Sequence, residues 1–302
     1  MKNRFTVVVS SCDKYEDLWD PFFRILKAEW PRLEREQIPI ILNTEHKTFY
    51  LEGLNIKTLQ LYDEDEASVW TERLRRTLES IETDYIIHIL DDFFLNDKVR
   101  DDIIDRCVKW MDDRSGISMF CFKETYVSKN IRDNRYEGFE RRPLFGQYKF
   151  NCQAALWRRT RLINYLKKNE NPWEWEEFGN WRSYRHPFHL FYSHIPGGPR
   201  VFPYIYEAEG STFWESGVYR GKWVLPSVDP VFKMHNITVD YSIRGIISPE
   251  EYNSSNSEET VKRKEDAPKW KQAVWFIRPV YCKAKDIIAD IRYVLKHIDH
   301  FF

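Results

Sequence analysis

The sequence IIHILDDFFL, at residues 86–95, joins a short apolar run to two adjacent carboxylates. The apolar part has the composition of a β-strand that is buried on both faces. Open α/β sheets bind ligands just beyond the carboxyl ends of their strands, where Asp91 and Asp92 fall. Buried carboxylates are costly unless a cation or hydrogen bonds compensate their charge. The pair therefore predicts a site for Mg²⁺ or Mn²⁺ that is shared with a substrate phosphate.

An Asp-Asp dipeptide taken alone is equally consistent with a turn that caps the next helix. The upstream sequence favours the first interpretation. Strand patterns at residues 5–9, 38–42, 56–61 and 86–90, together with helical patterns at 18–30 and 69–81, give the order β-α-β-β-α-β. This order predicts an α/β fold with a mostly parallel, doubly wound sheet and right-handed crossovers. The polar ends of these strands then meet at one edge, which predicts a nucleotide site.

The second half of the chain has weaker patterns. A helix is predicted at 103–111, a strand at 117–122 and a further helix at 153–167. Residues 126–148 lack periodicity and are interpreted as a long connection of the kind that forms lids. The sequence NPWEWE at 171–176 is either an acidic helix start that buries its indoles or part of a site.

Composition excludes several classes of protein. The chain has 302 residues, enough for one large α/β domain or two smaller ones, and its net charge of −1 gives no field that would recruit nucleic acid. Its 12 Trp, 17 Tyr and 20 Phe suit both a core and stacking on sugar rings. Five dispersed cysteines without a C-x-x-C pair predict neither a disulfide framework nor a zinc site, and favour a reducing cytosol. We also expect no signal peptide and no membrane span.

Four segments together resemble bacterial GT-A-fold glycosyltransferases of the kind that build capsular and other surface polysaccharides. They are VVVSS at 7–11, Trp70 with Arg73, LDDFFL at 90–95 and NPWEWE at 171–176. The resemblance implies a single Rossmann-type domain over residues 1–245, with a nucleotide-sugar half at about 1–122 and an acceptor half at about 123–245. Asp-Asp-Phe departs from the family's Asp-x-Asp signature, which leaves open whether Asp91 or Asp92 binds the metal. We favour Asp92, with Asp91 facing the ribose or the donor sugar.

The resemblance also implies roles for other residues. A nucleotide-sugar, with a UDP-sugar favoured, would bind through Ser10, Ser11, Asp13, Tyr15, Asn43, Thr44, Trp70, Arg73 and Asp91. His235 is the best match to a late histidine that completes the metal site in this family.

The chemistry that the resemblance implies is metal-dependent transfer of a hexosyl group to a glycan hydroxyl, with inversion. A divalent metal neutralises the departing diphosphate, and a carboxylate on the opposite side removes the acceptor proton. We choose Glu176 as this base, with Glu174 as the reserve. Trp173 and Trp175 would shape the acceptor pocket.

Two other functions remain as alternatives. The aromatic residues and the carboxylates are consistent with a non-catalytic carbohydrate-binding protein that holds a structural ion. The Asp-Asp pair also resembles the Asp-Asp-x-x-Asp motif of isoprenoid-diphosphate enzymes, but that motif lies on a helix, and here residue 95 is Leu.

The C-terminal region forms a separate part of the sequence. Residues 246–268 are interpreted as a linker, and residues 269–302 as a basic, amphipathic helical tail. The tail either packs on the catalytic domain or anchors the protein to anionic lipid. The second interpretation predicts a cytoplasmic enzyme that is peripheral on the inner membrane and acts on an acceptor linked to a polyprenyl diphosphate.

Overall fold

A nine-stranded sheet forms the centre of the computed structural model. The structure describes residues 3–251 except 62–68, 125–128, 145, 147, 169 and 205–216. The strands are β1 (Phe5–Ser10), β2 (Ile40–Thr44), β3 (Ile56–Gln60), β4 (Tyr85–Leu90), β5 (Ile117–Glu124), β6 (Ile131–Arg132), β7 (Phe139–Arg141), β8 (Ala155–Arg158) and β9 (Leu190–His194). Strands β10 (Val218–Tyr219) and β11 (Lys222–Trp223) form a separate hairpin.

The helices are α1 (Glu16–Glu29), α2 (Arg32–Arg35), α3 (Trp70–Glu79), α4 (Asp101–Asp113), α5 (Arg159–Tyr165), α6 (Pro172–Glu174), α7 (Asn180–Ser183) and α8 (Leu225–Met234). A 3₁₀ turn (Asp13–Tyr15) leads into α1, and a π-helical turn (Trp175–Gly179) joins α6 to α7. No helix of the described residues is both long enough and apolar enough to cross a membrane.

The strand order confirms the predicted α/β architecture. The sheet has the order β3-β2-β1-β4-β8-β5-β9-β7-β6, and its first four strands are mutually parallel. From the pairings, β7 and β8 run against the other seven strands, so the sheet is mostly parallel. The carboxyl ends of β1, β2 and β4 lie side by side at one edge.

Both faces of this sheet are covered, which explains the apolar strands in the sequence. Side chains alternate across a strand, so Val7 and Val9 of β1 pack with α1 and α4, whereas Val8 packs with α3 and α5. Strand β4 alternates in the same way, with Ile86 on the second face. A strand between two apolar layers needs hydrophobic residues at every position.

The helix predicted at 153–167 is wrong in its first half. Residues Ala155–Arg158 form β8, which inserts antiparallel between β4 and β5, and the helix begins only at Arg159. Ala155, Leu156 and Trp157 are fully buried. Local periodicity cannot distinguish a buried strand of four residues from a buried helical turn. The decisive interactions are with strands far away in sequence.

Two other predicted segments differ from the structure. The connection at 126–148 contains β6 and β7, which extend the sheet at its edge. The predicted linker begins with residues that pack on the hairpin: Ile247 is buried, and its N–H donates to the carbonyl of Trp223 over 3.0 Å. The predicted tail at 269–302, and the linker from residue 252 onward, lie outside the described residues.

Candidate active site

The register of the parallel strands collects polar residues at one edge of the sheet. Ser10, the last residue of β1, lies opposite Asn43 of β2 on one side and Leu90 of β4 on the other. Asp91 and Asp92 follow Leu90 directly. Residues from three segments of the sequence therefore meet where open α/β sheets bind their ligands.

The two carboxylates of this edge belong to adjacent residues: Asp91 is buried, and Asp92 is half-buried with a buried Oδ1. Asp91 is 5% exposed and accepts a hydrogen bond from the hydroxyl of Ser11. Burial and the charge of Asp92 together raise the pKa of Asp91 to about 8, although Ser11 and Arg244 act in the opposite direction. Burial likewise raises the pKa of Asp92 to about 7, against the effect of Arg244. The positive charge around Asp91 and Asp92 is therefore too small to offset the cost of burying their carboxylates.

A divalent cation fits this pair. Oδ1 of Asp92 is buried and accepts no hydrogen bond from the described residues. A hard divalent ion would ligate such an oxygen and would relieve the electrostatic cost that raises both pKa values. No group of three His, Cys, Asp or Glu side chains in the described chain could hold a metal. One or two carboxylates plus phosphate oxygens are a sufficient set for Mg²⁺.

His235 lies far from these carboxylates. Its Nε2 is 3.3 Å from Oε1 of Glu29, the last residue of α1. Helix α1 begins beside the carboxyl end of β1 and has 14 residues, a length of about 20 Å. The next residue, Trp30, stacks on Phe5, the first residue of β1. The structure thus places His235 at the opposite edge of the sheet, and His235 is not among the ligands that we propose.

The loop after β1 is organised by its own polar groups. The Oγ of Ser10 and Nε2 of the buried His88 are 2.8 Å apart. Asp13 accepts hydrogen bonds from the main-chain N–H groups of residues 45, 46 and 47, over 2.9 to 3.2 Å. The hydroxyl of Thr44 donates to the carbonyl of Lys47 over 2.7 Å. Asp13 and Thr44 therefore shape the walls of the candidate site by holding the loops after β1 and β2.

Asn43 and Arg73 keep unpaired polar atoms near this edge. The side-chain oxygen of Asn43 and Nε of Arg73 are buried and make no hydrogen bond among the described residues. Arg73 otherwise pairs with Glu45. Buried polar atoms without partners are uncommon and call for an explanation such as a missing ligand. The predicted donor-binding roles of Asn43 and Arg73 are consistent with this observation.

The two glutamates of the Trp-Glu segment (residues 171–176) have different environments. Glu176 accepts a 2.7 Å hydrogen bond from the N–H of Cys152. Burial raises the pKa of the Cys152 thiol, and the nearby charges of Glu176 and Asp92 also raise it. Glu174 instead forms a capping box with Asn171, the N-cap of α6.

The two indoles predicted to shape an acceptor pocket have different environments. Trp175 is 1% exposed and packs against Phe150 and Trp157 in the core, so it is not available to an acceptor. Its ring also lies 5.5 Å from that of Trp70. Trp173 is 59% exposed. Of these two indoles, that of Trp173 is the one exposed to solvent.

Arg244 is the residue of this site that sequence reasoning missed. Its guanidinium pairs with Asp17 and lies 4.8 Å from the centre of the Tyr15 ring. Burial, together with the charges of Asp92 and Asp91, raises the pKa of Tyr15 to about 12, so the phenol is neutral. The segment around residue 244 shows no motif, and it reaches the site only because the chain returns to α1 after α8.

Comparisons with known proteins give weak similarities. No protein-family model and no curated protein sequence matches the chain. Among solved structures, TarS 1–349 from S. aureus in complex with UDP-GlcNAc is 13% identical over 95% of this chain and 89% of that chain, with a TM-score of 0.47. The mannosyltransferase PcManGT from Pyrobaculum calidifontis, in complex with GDP-Man and Mn²⁺, is 15% identical over 52% of this chain and 45% of that chain, with a TM-score of 0.34.

A cytidylyltransferase from Leptospira borgpetersenii is similar to the same degree. It is 11% identical over 81% of this chain and 98% of that chain, with a TM-score of 0.40. Because these TM-scores lie below 0.5, what the protein does has to be inferred from its own residues.

Proposed function

We propose that the protein is a metal-dependent, inverting glycosyltransferase that moves a hexosyl group from a nucleotide-sugar to a glycan hydroxyl. The observation that carries this proposal is the adjacent pair Asp91 and Asp92 at the edge where three parallel strands end, with a buried Oδ1 of Asp92 that has no hydrogen-bond partner among the described residues. A nucleotide diphosphate with a divalent cation satisfies this arrangement because it brings both the missing positive charge and further oxygen ligands.

The donor is bound by the loops that follow β1 and β2. Ser10, Ser11 and Asn43 surround the edge, and the side-chain oxygen of Asn43 is available to accept a hydrogen bond from a base or ribose. Tyr15 contributes a neutral phenol beside the carboxylates. Asp13 and Thr44 keep the two loops in place. We favour a UDP-sugar as the donor.

In the transfer step, the departing diphosphate and the base that activates the acceptor lie on opposite sides of the sugar. The acceptor oxygen attacks the anomeric carbon, the bond from that carbon to the phosphate oxygen breaks, and its electron pair leaves with the diphosphate. Asp92 would hold Mn²⁺ or Mg²⁺, which would neutralise the charge of the departing diphosphate. Glu176, oriented by the N–H of Cys152, takes the proton of the acceptor hydroxyl. The exposed indole of Trp173 stacks on an acceptor sugar.

The biological setting of the reaction is a separate part of the proposal. The resemblance seen in the sequence supports a surface polysaccharide as the product and a lipid-linked acceptor at the cytoplasmic face of the membrane. The basic, apolar sequence at 269–302 is suited to holding the enzyme on anionic lipid.

A thermal melting screen over nucleotides and metals tests the proposed function. UDP or GDP with Mn²⁺ should raise Tm, since a ligand at 100 times its Kd stabilises the native state by about 2.7 kcal/mol. A non-catalytic carbohydrate-binding protein would instead respond to glycans and not to nucleotides. Slow hydrolysis of the matching nucleotide-sugar is the expected second readout. If no nucleoside diphosphate with Mn²⁺ or Mg²⁺ shifts Tm, the proposed function is wrong.

A further inference from the structure

The segment after residue 217 brings a fixed cation to the carboxylate pair. The N–H of Gly217 donates to the carbonyl of Asp92 over 2.9 Å, which attaches this segment to the end of β4. A Cβ on Gly217 would lie 2.2 Å from the ring of Phe94, so no other residue fits this close approach. The β10–β11 hairpin follows, with Arg220 and Gly221 both at positive φ in its turn, as two-residue hairpins of this type require.

Arg244 is held rigidly against this hairpin. Its side chain is 6% exposed, and Nε donates to Oδ2 of Asp17 over 2.7 Å while a terminal nitrogen pairs with Oδ1. The guanidinium lies between two rings, 4.8 Å from the centre of Tyr15 and 5.6 Å from that of Trp223. The other terminal nitrogen donates to the carbonyl of Gly221 over 3.2 Å. An arginine held in this way loses little conformational entropy when it binds an anion.

The charge of Arg244 reaches the carboxylates without a direct bond to them. Burial raises the pKa of Asp91 and of Asp92, and the charge of Arg244 opposes that rise, yet the described hydrogen bonds of Arg244 go to Asp17 and to main-chain carbonyls. If the only role of Arg244 were to neutralise Asp91 and Asp92, we would expect it to donate hydrogen bonds to them directly. Within the described contacts the guanidinium uses four of its five N–H groups. One donor remains for a ligand.

A diphosphate has the chemistry to bind both features. Some of its oxygens would ligate a divalent ion held by Asp92, and others would accept hydrogen bonds from the guanidinium of Arg244. We propose that Arg244 binds the diphosphate of the donor and stabilises it as the leaving group. This inference rests on the proposed function and adds the late segment 217–247 to the donor site.

The first test needs only the unaltered full-length protein. Affinities for uridine, UMP and UDP are measured by calorimetry in EDTA, or for the guanosine series if GDP is the nucleotide that raises Tm. A protein cation that binds the diphosphate predicts at least tenfold tighter binding of UDP than of uridine without any metal. Equal affinities in EDTA would overturn the inference.

The second test uses variants at the ion pair. Arg244→Gln should reduce the preference for UDP over uridine to less than threefold, while the affinity for uridine stays within twofold. Arg244→Lys should retain part of the preference, because it keeps the charge and loses the planar fork. Asp17→Asn keeps the guanidinium and should retain most of the preference for UDP. Lys222→Gln removes a cation of the same hairpin that is paired with Glu251, and should leave the affinities for uridine and UDP unchanged.

A structural clamp gives a different pattern. If Arg244 only fastens the late segment to α1, Arg244→Gln and Asp17→Asn will lower Tm equally and will weaken uridine and UDP by the same factor. That result overturns the inference and leaves the proposed function intact. Failure of the unaltered protein to bind any of these nucleotides, with or without Mn²⁺, overturns both.

Discussion

The main-chain N–H of Cys152 donates a 2.7 Å hydrogen bond to Oε1 of Glu176. Cys152 precedes β8, the strand that inserts beside β4, whereas Glu176 lies in the π-helical turn of the Trp-Glu segment. The bond therefore fixes a carboxylate of the second half of the chain relative to β4, the strand that Asp91 and Asp92 follow.

We expect Glu176→Gln to lower kcat by about 10²- to 10⁴-fold, the range typical of losing a general base. The amide keeps the size of the side chain and its bond to Cys152, so Tm and the Kd for the nucleoside diphosphate should stay close to those of the unaltered protein. Steady-state kinetics with a saturating acceptor and calorimetry with UDP or GDP give the two readouts.

Glu174→Gln is the matched control, because it changes the capping box of α6 and removes no proposed base. It should cost about 1 kcal/mol of stability or less and leave kcat near normal. If Glu174→Gln is the inactive variant and Glu176→Gln is active, the assignment of the base is wrong by two positions.

Asp92→Asn should abolish the metal-dependent part of nucleotide binding, because an amide oxygen is a much poorer ligand for Mn²⁺ than a carboxylate. The shift in Tm on adding Mn²⁺ with UDP or GDP measures this. The fold should be intact, since the substitution is nearly isosteric and removes a buried charge. Normal sugar transfer by Asp92→Asn at subsaturating Mn²⁺ would contradict the metal assignment.

Trp175→Ala and Trp173→Ala should separate core packing from acceptor binding. Trp175 is buried between Phe150 and Trp157, so its truncation should cost about 3–5 kcal/mol of unfolding free energy. Trp173 is 59% exposed, and its truncation should leave stability within about 0.5 kcal/mol while raising KM for the glycan acceptor. Urea unfolding and acceptor kinetics measure the two effects. An unchanged acceptor KM for Trp173→Ala would remove this residue from the site.

His88 should make the protein less stable at mildly acidic pH. Burial lowers its pKa from 6.5 to about 4, so between these values the unfolded chain binds a proton that the native protein does not. Stability is therefore lost as the pH falls from about 7 toward 4, by on the order of 2 kcal/mol for this group at pH 5. Comparing urea unfolding of the unaltered protein and His88→Gln at pH 7.5 and pH 5 isolates this contribution. Equal pH dependence of the two proteins would show that His88 is not the source.

Removing residues 269–302 should release the protein from liposomes that contain anionic lipid and spare transfer to a short, soluble acceptor. Co-sedimentation at low salt measures binding, and neutral liposomes serve as the control. The proposed membrane role is contradicted if the full-length protein does not sediment with anionic liposomes, or if the truncated protein fails to fold.

The first half of the sheet was predictable because its signals are local. Apolar runs ending in polar residues mark β1, β2 and β4, and right-handed crossovers between them leave only one way to align their ends. Asp91 and Asp92 could therefore be placed at the carboxyl edge of the sheet from the sequence and the order of elements alone. The apolar character of residues 86–90 already reflects helices on both faces of the sheet.

Tertiary structure decided the features that depend on contacts between distant segments. Strand β8 is a strand only because β4 and β5 pair with it on both sides. His235 is separated from Asp92 because it follows α8 and contacts Glu29 at the far end of α1, on the opposite edge of the sheet. A short sequence motif does not show how far a helix moves the chain from one edge to the other. Arg244 reaches Asp17 across 227 positions of sequence. Local patterns report on burial and periodicity, but the position of a charge in a site is set by the packing of whole elements.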